Sequence, residues 1–420
     1  MKNKQSSRRE FLSTNCSALA GLALLGSMPS NAFAAGASDR IKVGIVGVGG
    51  RGRGAVSECL QADPAVQLWA IGELFQDRLN RARDSYAGNE RTKVPNERCF
   101  AGFDSYKKVI DSGVDIVLLT TPPNFRPAHM EYAIEKGVHI FAEKPIAVDV
   151  VGARKVLALG ELATKKKISI VAGTQRRHQA SYLERIKRIH AGEIGEIVGG
   201  QCYAVFPWER GLGARPDGMS EMEFQIRRWG NFLWLYGDII VEQHVHNLDI
   251  INWAIGSPPV KAFGMGGRQK GTGGNIWDHF AVEYEYANGA RVSSFTRHVA
   301  NSSSRFSERI VGTKGIADTR GIFNGANLRS PAIDAVNPYV QEHIDLIQAV
   351  RNRKPVNDTR AIAEATLTAI LGRVSSYTGK EVSYKWLLEA SKEDLSPAVL
   401  DLTAPPPDHK VAVPGVTKLV

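Results

Sequence analysis

The chain has 420 residues, 43% of them hydrophobic and 23% charged, with a formal net charge of +10 and four cysteines. This length exceeds one ordinary core and suits two α/β domains, and the composition excludes a disordered, collagenous or disulfide-stapled chain. The positive charge is scattered rather than held in blocks, and no nucleic-acid motif accompanies it, so nucleic acid is not an expected partner.

The N-terminus has three parts in order. Arg8 and Arg9 precede Glu10, Phe11 and Leu12; a weakly apolar run follows from Ala18 to Leu25; then Ala32-Phe33-Ala34 offers a small-x-small cleavage site. This order resembles a twin-arginine export signal occupying residues 1–34. It implies the twin-arginine export machinery as a partner and the periplasm as the location. The apolar run is too short to span a bilayer, and Cys16 lacks a lipoprotein context, so no membrane anchor is expected. Proteins using this route cross already folded, which suits one that takes up its cofactor before leaving. Cys59, Cys99 and Cys202 remain beyond the signal, without C-x-x-C spacing, and support neither a disulfide framework nor a thiolate metal site.

Residues 41–54 read "IKVGIVGVGGRGRG". An apolar run suited to a buried strand leads into Gly47-Val48-Gly49-Gly50-Arg51-Gly52, a G-x-G-x-x-G pattern, and a helical pattern follows. In that context Gly47 permits the tight turn, Gly49 and Gly50 let backbone approach a pyrophosphate, and Gly52 lets helix and strand pack closely. Arg51 either reaches phosphate or faces water. Glu73 ends a second strand, 21 residues past Gly52, where an acid accepts from ribose hydroxyls and repels a 2′-phosphate. NAD is therefore expected over NADP. Strand and helix patterns then alternate to about residue 175, which implies a doubly wound parallel sheet. Ligands bind at the carboxyl ends of such strands, and those ends carry Thr121, Pro122 and Asn124, then Glu143 and Lys144, then Gln175 and Arg176.

Three elements together resemble the Gfo/Idh/MocA family of NAD(P)-dependent oxidoreductases of sugars and polyols. They are the glycine fingerprint, the Glu143-Lys144-Pro145 triplet and a later acid-x-x-x-His-x-x-Asp helix, and the likeness spans about residues 40–390. The resemblance implies an α/β fold. An N-terminal Rossmann domain (40–175) would be followed by an α+β domain with a mostly antiparallel open sheet (176–390), which mediates homo-oligomers, dimers or tetramers. A proline-containing extended tail (391–420) would complete the chain. The nucleotide is expected to be tightly bound. From Ile197 the strand patterns shorten and alternate with period two, and Asn288-Gly289 is a hairpin turn signal.

The later helix is read over about Asp238 to Trp253, with Glu242, His246 and Asp249 on one face and His244 opposite. An acid–histidine pair at i, i+4 is open to a metal, a structural or a catalytic reading. H-E-x-x-H is absent and no other ligand cluster stands out, so no metal is expected. Beside a dinucleotide domain, a histidine has the proton affinity to accept a hydroxyl proton, and a lysine can stabilise the alkoxide that forms. The resemblance assigns those parts to His246 and Lys144. Glu242 stands where the family has aspartate, and Tyr236, Asp238 or His244 then compete for the proton work. An insertion over residues 206–236 holds Trp208 and Trp229 with several arginines. It is either a lid whose aromatic faces stack on a sugar or a set of anchors to the core. The function expected is hydride transfer between a tightly bound nicotinamide and a hydroxyl of a sugar, glycoside or cyclitol. A redox-neutral NAD-dependent glycosidase and a non-catalytic sugar-binding protein are the alternatives.

Overall fold

A computed structural model describes residues 40–270, 273–319, 321–323, 327–329 and 335–420. The export signal read at residues 1–34, with Cys16, lies outside the described residues.

The first half alternates strand and helix: β1 (Ile41–Val46), α1 (Gly50–Ala62), β2 (Val66–Glu73), α2 (Gln76–Tyr86), β3 (Cys99–Ala101) and α3 (Ser105–Asp111). It continues through β4 (Ile116–Leu119), α4 (Arg126–Lys136), β5 (His139–Ala142), α5 (Val150–Lys166) and β6 (Ile170–Ala172), with α6 (Ala180–His190) leading out. The strands form one parallel sheet in the order β3-β2-β1-β4-β5-β6. Helices cover both faces of such a sheet, which is why β4 reads as an unbroken apolar run and β1 as one interrupted only by Lys42, both almost wholly buried. The order reverses between β1 and β4, and the crevice there is where an open α/β sheet takes its ligand.

The second half opens with β7 (Ile197–Phe206) and four short helices: α7 (Glu221–Arg227), α8 (Leu233–Tyr236), α9 (Ile239–Glu242) and α10 (Val245–Ile255). Strands β8 (Lys261–Gly267), β9 (His279–Glu285), β10 (Arg291–His298), β11 (Arg305–Gly312), β12 (Ile316–Asp318), β13 (Gly321–Phe323) and β14 (Asn327–Arg329) follow. Helices α11 (Pro338–Arg351) and α12 (Thr359–Thr378), strand β15 (Val382–Ser383) and helix α13 (Tyr384–Glu389) close the regular structure. The nine strands run β14-β13-β12-β11-β7-β10-β9-β8-β15, antiparallel at every pairing except β7 with β10. The expected hairpin is there: Gly289 takes φ +82° in the turn between β9 and β10. Helix α12 packs on one face of this sheet. Val198, Phe263, Met265 and Phe306 stand exposed on its strands.

Two features depart from the boundaries drawn on the sequence. Helix α11, assigned to the second domain, puts Leu346 and Ile347 into the same core as Ile45, Ile116 and Phe141 of the parallel sheet. The tail after residue 390 has no regular element, as expected, yet it is tied down. Leu395 donates its N–H to the Asp149 carboxylate at 2.8 Å, and Asn275 and Trp277 donate to the His409 and Ala412 carbonyls at 2.6 and 3.2 Å.

Candidate active site

One cleft of about 560 Å³ runs from the glycine turn to the start of α10. At its first end Gly47 adopts φ +92°, a conformation that favours glycine. A Cβ on Gly52 would lie 2.0 Å from the Gly47 carbonyl oxygen and 2.7 Å from Thr120 Oγ1, so α1 approaches the strand ends as only glycine allows. Glu73 is 6% exposed. Its carboxylate accepts from the Val48 and Leu74 N–H groups at 3.1 and 2.9 Å, which fixes the acid against the glycine turn. Phe75, Arg78, Phe103 and Tyr106 line the same end. Arg227, from the insertion, pairs with Asp77 at 2.9 Å and lies 3.8 Å above the Phe75 ring. An apolar slot, an anchored carboxylate for a ribose and glycine backbone for a pyrophosphate together fit a dinucleotide.

At the other end the sequence folds in an unexpected way. The helix read over 238–253 is two helices, α9 and α10, broken at Gln243 and His244. His244 is fully buried and held from below, its Nε2 2.6 Å from Ser294 Oγ and 3.5 Å from Cys202 Sγ of the second sheet. The break leaves the Glu242 carbonyl to accept from Lys144 Nζ at 2.7 Å, while the Glu242 carboxylate accepts from the same nitrogen at 3.0 Å. The Gln243 side-chain amide donates to the other carboxylate oxygen. Lys144 itself follows β5, and the Lys144–Pro145 peptide is cis. Burial pushes the Glu242 carboxyl up, but Lys144, Arg210 and Arg126 outweigh it and hold the group below the usual carboxylate range. Burial, with Lys144 and Arg176 adding repulsion, holds His246 well below the ordinary histidine value, so its imidazole stays neutral. Lys144, Glu242, Gln243 and His246 all line the cleft, as does Trp229.

Gly47, Gly49, Gly50, Arg51, Gly52, Glu73, Thr121, Pro122, Asn124, Glu143 and Gln175 also line it. Four expected site residues do not, and these readings are corrected. Arg176 is buried against Glu308, pairing β6's end with the second sheet instead of with a nucleotide. Asp238 is fully buried; its carboxylate accepts from the Ile239 and Trp277 N–H groups at 2.6 and 2.9 Å and from the Tyr377 hydroxyl. That makes it a joint between α9 and the core. Tyr236 is fully buried beneath Trp229, its ring 5.4 Å from the indole. Trp208 packs against His298 with ring centres 4.3 Å apart and the rings tilted by 50°, so of the two tryptophans only Trp229 meets the cleft. Asp249 also leaves the expected face, forming a bidentate pair with Arg177 at 2.7–3.0 Å. Arg51 reaches the cleft but not as a ready phosphate clamp, because its Nε donates to Glu143 at 2.5 Å and its other nitrogens to Glu58.

Several lining residues were invisible in the sequence. Tyr339 comes from α11, and Ser396, Pro397 and Leu400 from the tail, more than 190 residues beyond Lys144. No local pattern announces them. His129 had a weak signal, in the first turn of the helix that follows β4; it stacks on Tyr106 with ring centres 4.1 Å apart.

Residues 41–172 match the Gfo/Idh/MocA oxidoreductase family's NAD-binding Rossmann fold, and residues 182–318 match the Gfo/Idh/MocA C-terminal domain. The chain belongs to the Gfo/Idh/MocA family. It is similar to inositol 2-dehydrogenase 4 of Saccharopolyspora erythraea, 25% identical over 216 residues, which are 51% of this chain and 54% of the relative. It is likewise similar to a glycosyl hydrolase family 109 protein of Shewanella baltica, 26% identical over 260 residues, 57% of this chain and 55% of that one. The chain thus spans about half the length of the curated relatives it matches. Among solved structures, scyllo-inositol dehydrogenase of Lactobacillus casei with bound NAD(H) and scyllo-inositol superposes with a TM-score of 0.63 at 17% identity. That match covers 82% of this chain and 99% of the other, and it shows a shared fold.

Proposed function

We propose that the protein is an NAD-dependent oxidoreductase that transfers hydride between the nicotinamide and a ring hydroxyl of a sugar, glycoside or cyclitol. The observation that carries this reading is the meeting of Lys144, paired to Glu242, with a neutral His246 in the cleft that also holds the glycine turn. When bound, NAD supplies the hydride acceptor. The protein's own groups do the rest. The imidazole of His246 takes the hydroxyl proton, for which it must be neutral, and its depressed proton affinity keeps it so at pH 7. The Lys144 ammonium, positioned by the Glu242 carboxylate and carbonyl, faces the oxygen on which negative charge develops. Trp229 offers an apolar face for a sugar ring.

The anchored Glu73 carboxylate favours NAD over NADP by repelling a 2′-phosphate. Tail residues over the cleft favour a tightly held nucleotide. The twin-arginine pattern favours a periplasmic location, with the cofactor loaded before export. The exposed apolar residues of the open sheet favour a homo-oligomer. The Shewanella baltica relative supports a second reading, a redox-neutral glycosidase that oxidises, eliminates, hydrates and reduces with one bound NAD.

The experiment is the reduced-nicotinamide absorbance of the purified protein before and after adding a panel of cyclitols, sugars and glycosides. A lasting change with one compound supports the dehydrogenase. Aglycone release without a lasting change moves the assignment to the glycosidase. Binding of a sugar with neither signal leaves only a non-catalytic binding protein and overturns both.

A further inference from the structure

Behind the glycine turn, outside the substrate end of the cleft, lies a second cluster of ionisable groups. Glu342 and His343 sit side by side on α11, and both are fully buried. Among the described residues, neither Glu342 carboxylate oxygen and neither His343 ring nitrogen has a hydrogen-bond partner. Leaving a buried polar atom unpaired costs about 1–3 kcal/mol, more for a charged one, so four such atoms on adjacent residues require an explanation. Glu58, on α1, faces them: a carboxylate oxygen of Glu58, one of Glu342 and a ring nitrogen of His343 all lie within 4.8 Å of one another.

The charges do not balance without help. Glu58, Glu143 and Glu342 are three carboxyl groups around one guanidinium, Arg51, which pairs with Glu58 and Glu143 and leaves Glu342 unpaired. Phe141 packs on the His343 ring with centres 4.2 Å apart, fixing the imidazole and closing that side to bulk water. Two carboxylates and an imidazole are donors that first-row divalent ions accept at about 2.0–2.2 Å, and a small inward movement of each side chain meets that distance.

We propose that Glu58, Glu342 and His343 form a site for a first-row divalent cation, Zn²⁺ or Mn²⁺, that clips α11 to α1 behind the glycine turn. The ligands stand 284 and 285 residues apart in the chain, which is why no sequence spacing announces them. An ion there joins the nucleotide-binding helix to a helix that follows β14 in the chain, so its binding energy adds to folding stability. It also competes with Arg51 for Glu58. The guanidinium, which lines the cleft, is then released toward the pyrophosphate end. The site needs no catalytic turnover, and it stands or falls independently of the hydride-transfer reading.

The test uses the untagged full-length protein. Elemental analysis of the purified protein is followed by thermal unfolding after chelation and after adding back Zn²⁺ or Mn²⁺ separately. The same measurements are made on Glu342→Gln, which keeps the shape and removes the charge, and on His343→Gln. Wild type is expected to bind one ion per chain and to unfold at a higher temperature with it. Glu342→Gln should bind at least about tenfold more weakly and lose the metal-dependent shift, while its metal-free form is as stable as metal-free wild type or more so. If wild type binds neither ion stoichiometrically, or if Glu342→Gln keeps the full metal shift, the proposal is overturned and Glu342 is a protonated core residue.

Discussion

Lys144→Met removes the ammonium and keeps the aliphatic stem, so it isolates the charge that the site depends on. In the wild type that nitrogen lies 3.0 Å from a Glu242 carboxylate oxygen and 2.7 Å from the Glu242 carbonyl. The Lys144 and Glu242 side chains are 12% and 10% exposed. Cutting one partner from a buried pair costs up to about 3–5 kcal/mol. Here Glu242 keeps the Gln243 amide and the nearby Arg210 and Arg126, so a loss of about 1–3 kcal/mol is expected, and the fold survives. The kinetic effect is larger. Removing one preorganised donor from a developing oxyanion lowers kcat by about 10²–10³, or about 2.7–4 kcal/mol. The assay is the initial rate of reduced-nicotinamide formation at saturating NAD with the cyclitol or sugar that wild type uses, alongside thermal unfolding of both proteins. A kcat within about threefold of wild type in a folded variant would refute the alkoxide role of Lys144.

Other outcomes follow from the same geometry. Because burial and the cations Lys144 and Arg176 hold His246 well below an ordinary histidine, its neutral form persists as pH falls through 6.5. The acidic limb of kcat/KM for alcohol oxidation should therefore lie below that value, and a limb at the ordinary histidine position would contradict the assignment. Gly52→Ala places a methyl group 2.0 Å from the Gly47 carbonyl, so the variant should lose bound nucleotide or unfold at a lower temperature; unchanged nucleotide content and stability would sink the packing argument. Asp238 is raised by burial to about 6, against about 3.9 when unfolded. Its folded form thus holds a proton that the unfolded chain releases, and it costs about 2–3 kcal/mol of stability as pH rises from about 4 to 6. Denaturant titrations should show a smaller loss across that window in Asp238→Asn than in wild type, and equal slopes would exclude the effect.

The parallel sheet was legible because its strands are buried on both faces and each ends in a turn whose residue types the chemistry dictates. Gly47 to Gly52 and Glu73 could be placed from their spacing, whereas Glu143 and Lys144 stood at a strand end and took their roles from the family resemblance. Strands of the second half followed from period-two alternation and the Asn288-Gly289 turn, and their joining into one antiparallel sheet from the family resemblance. What failed was the helix over 238–253. Its periodicity is real, but the break at Gln243 and His244 is imposed by Ser294 and Cys202, from strands that local sequence cannot see. Asp238 and Arg176 misled for a related reason. A charged residue beside a predicted site looks functional in sequence, whereas buried partners such as Tyr377 and Glu308 make these two structural. Tyr339 and Leu400 needed the finished fold.

The return of α11 sets an order of events during synthesis. Leu346 and Ile347 fill the core beneath β1, β4 and β5, yet they emerge from the ribosome long after β6 ends at Ala172. At about 5–20 residues per second, roughly ten to thirty seconds separate the last strand of the sheet from the helix that completes its core. During that interval the nascent sheet carries an open apolar flank, so a fragment ending after β6 would aggregate rather than fold, and the nucleotide-binding half is finished only once the second sheet has been made.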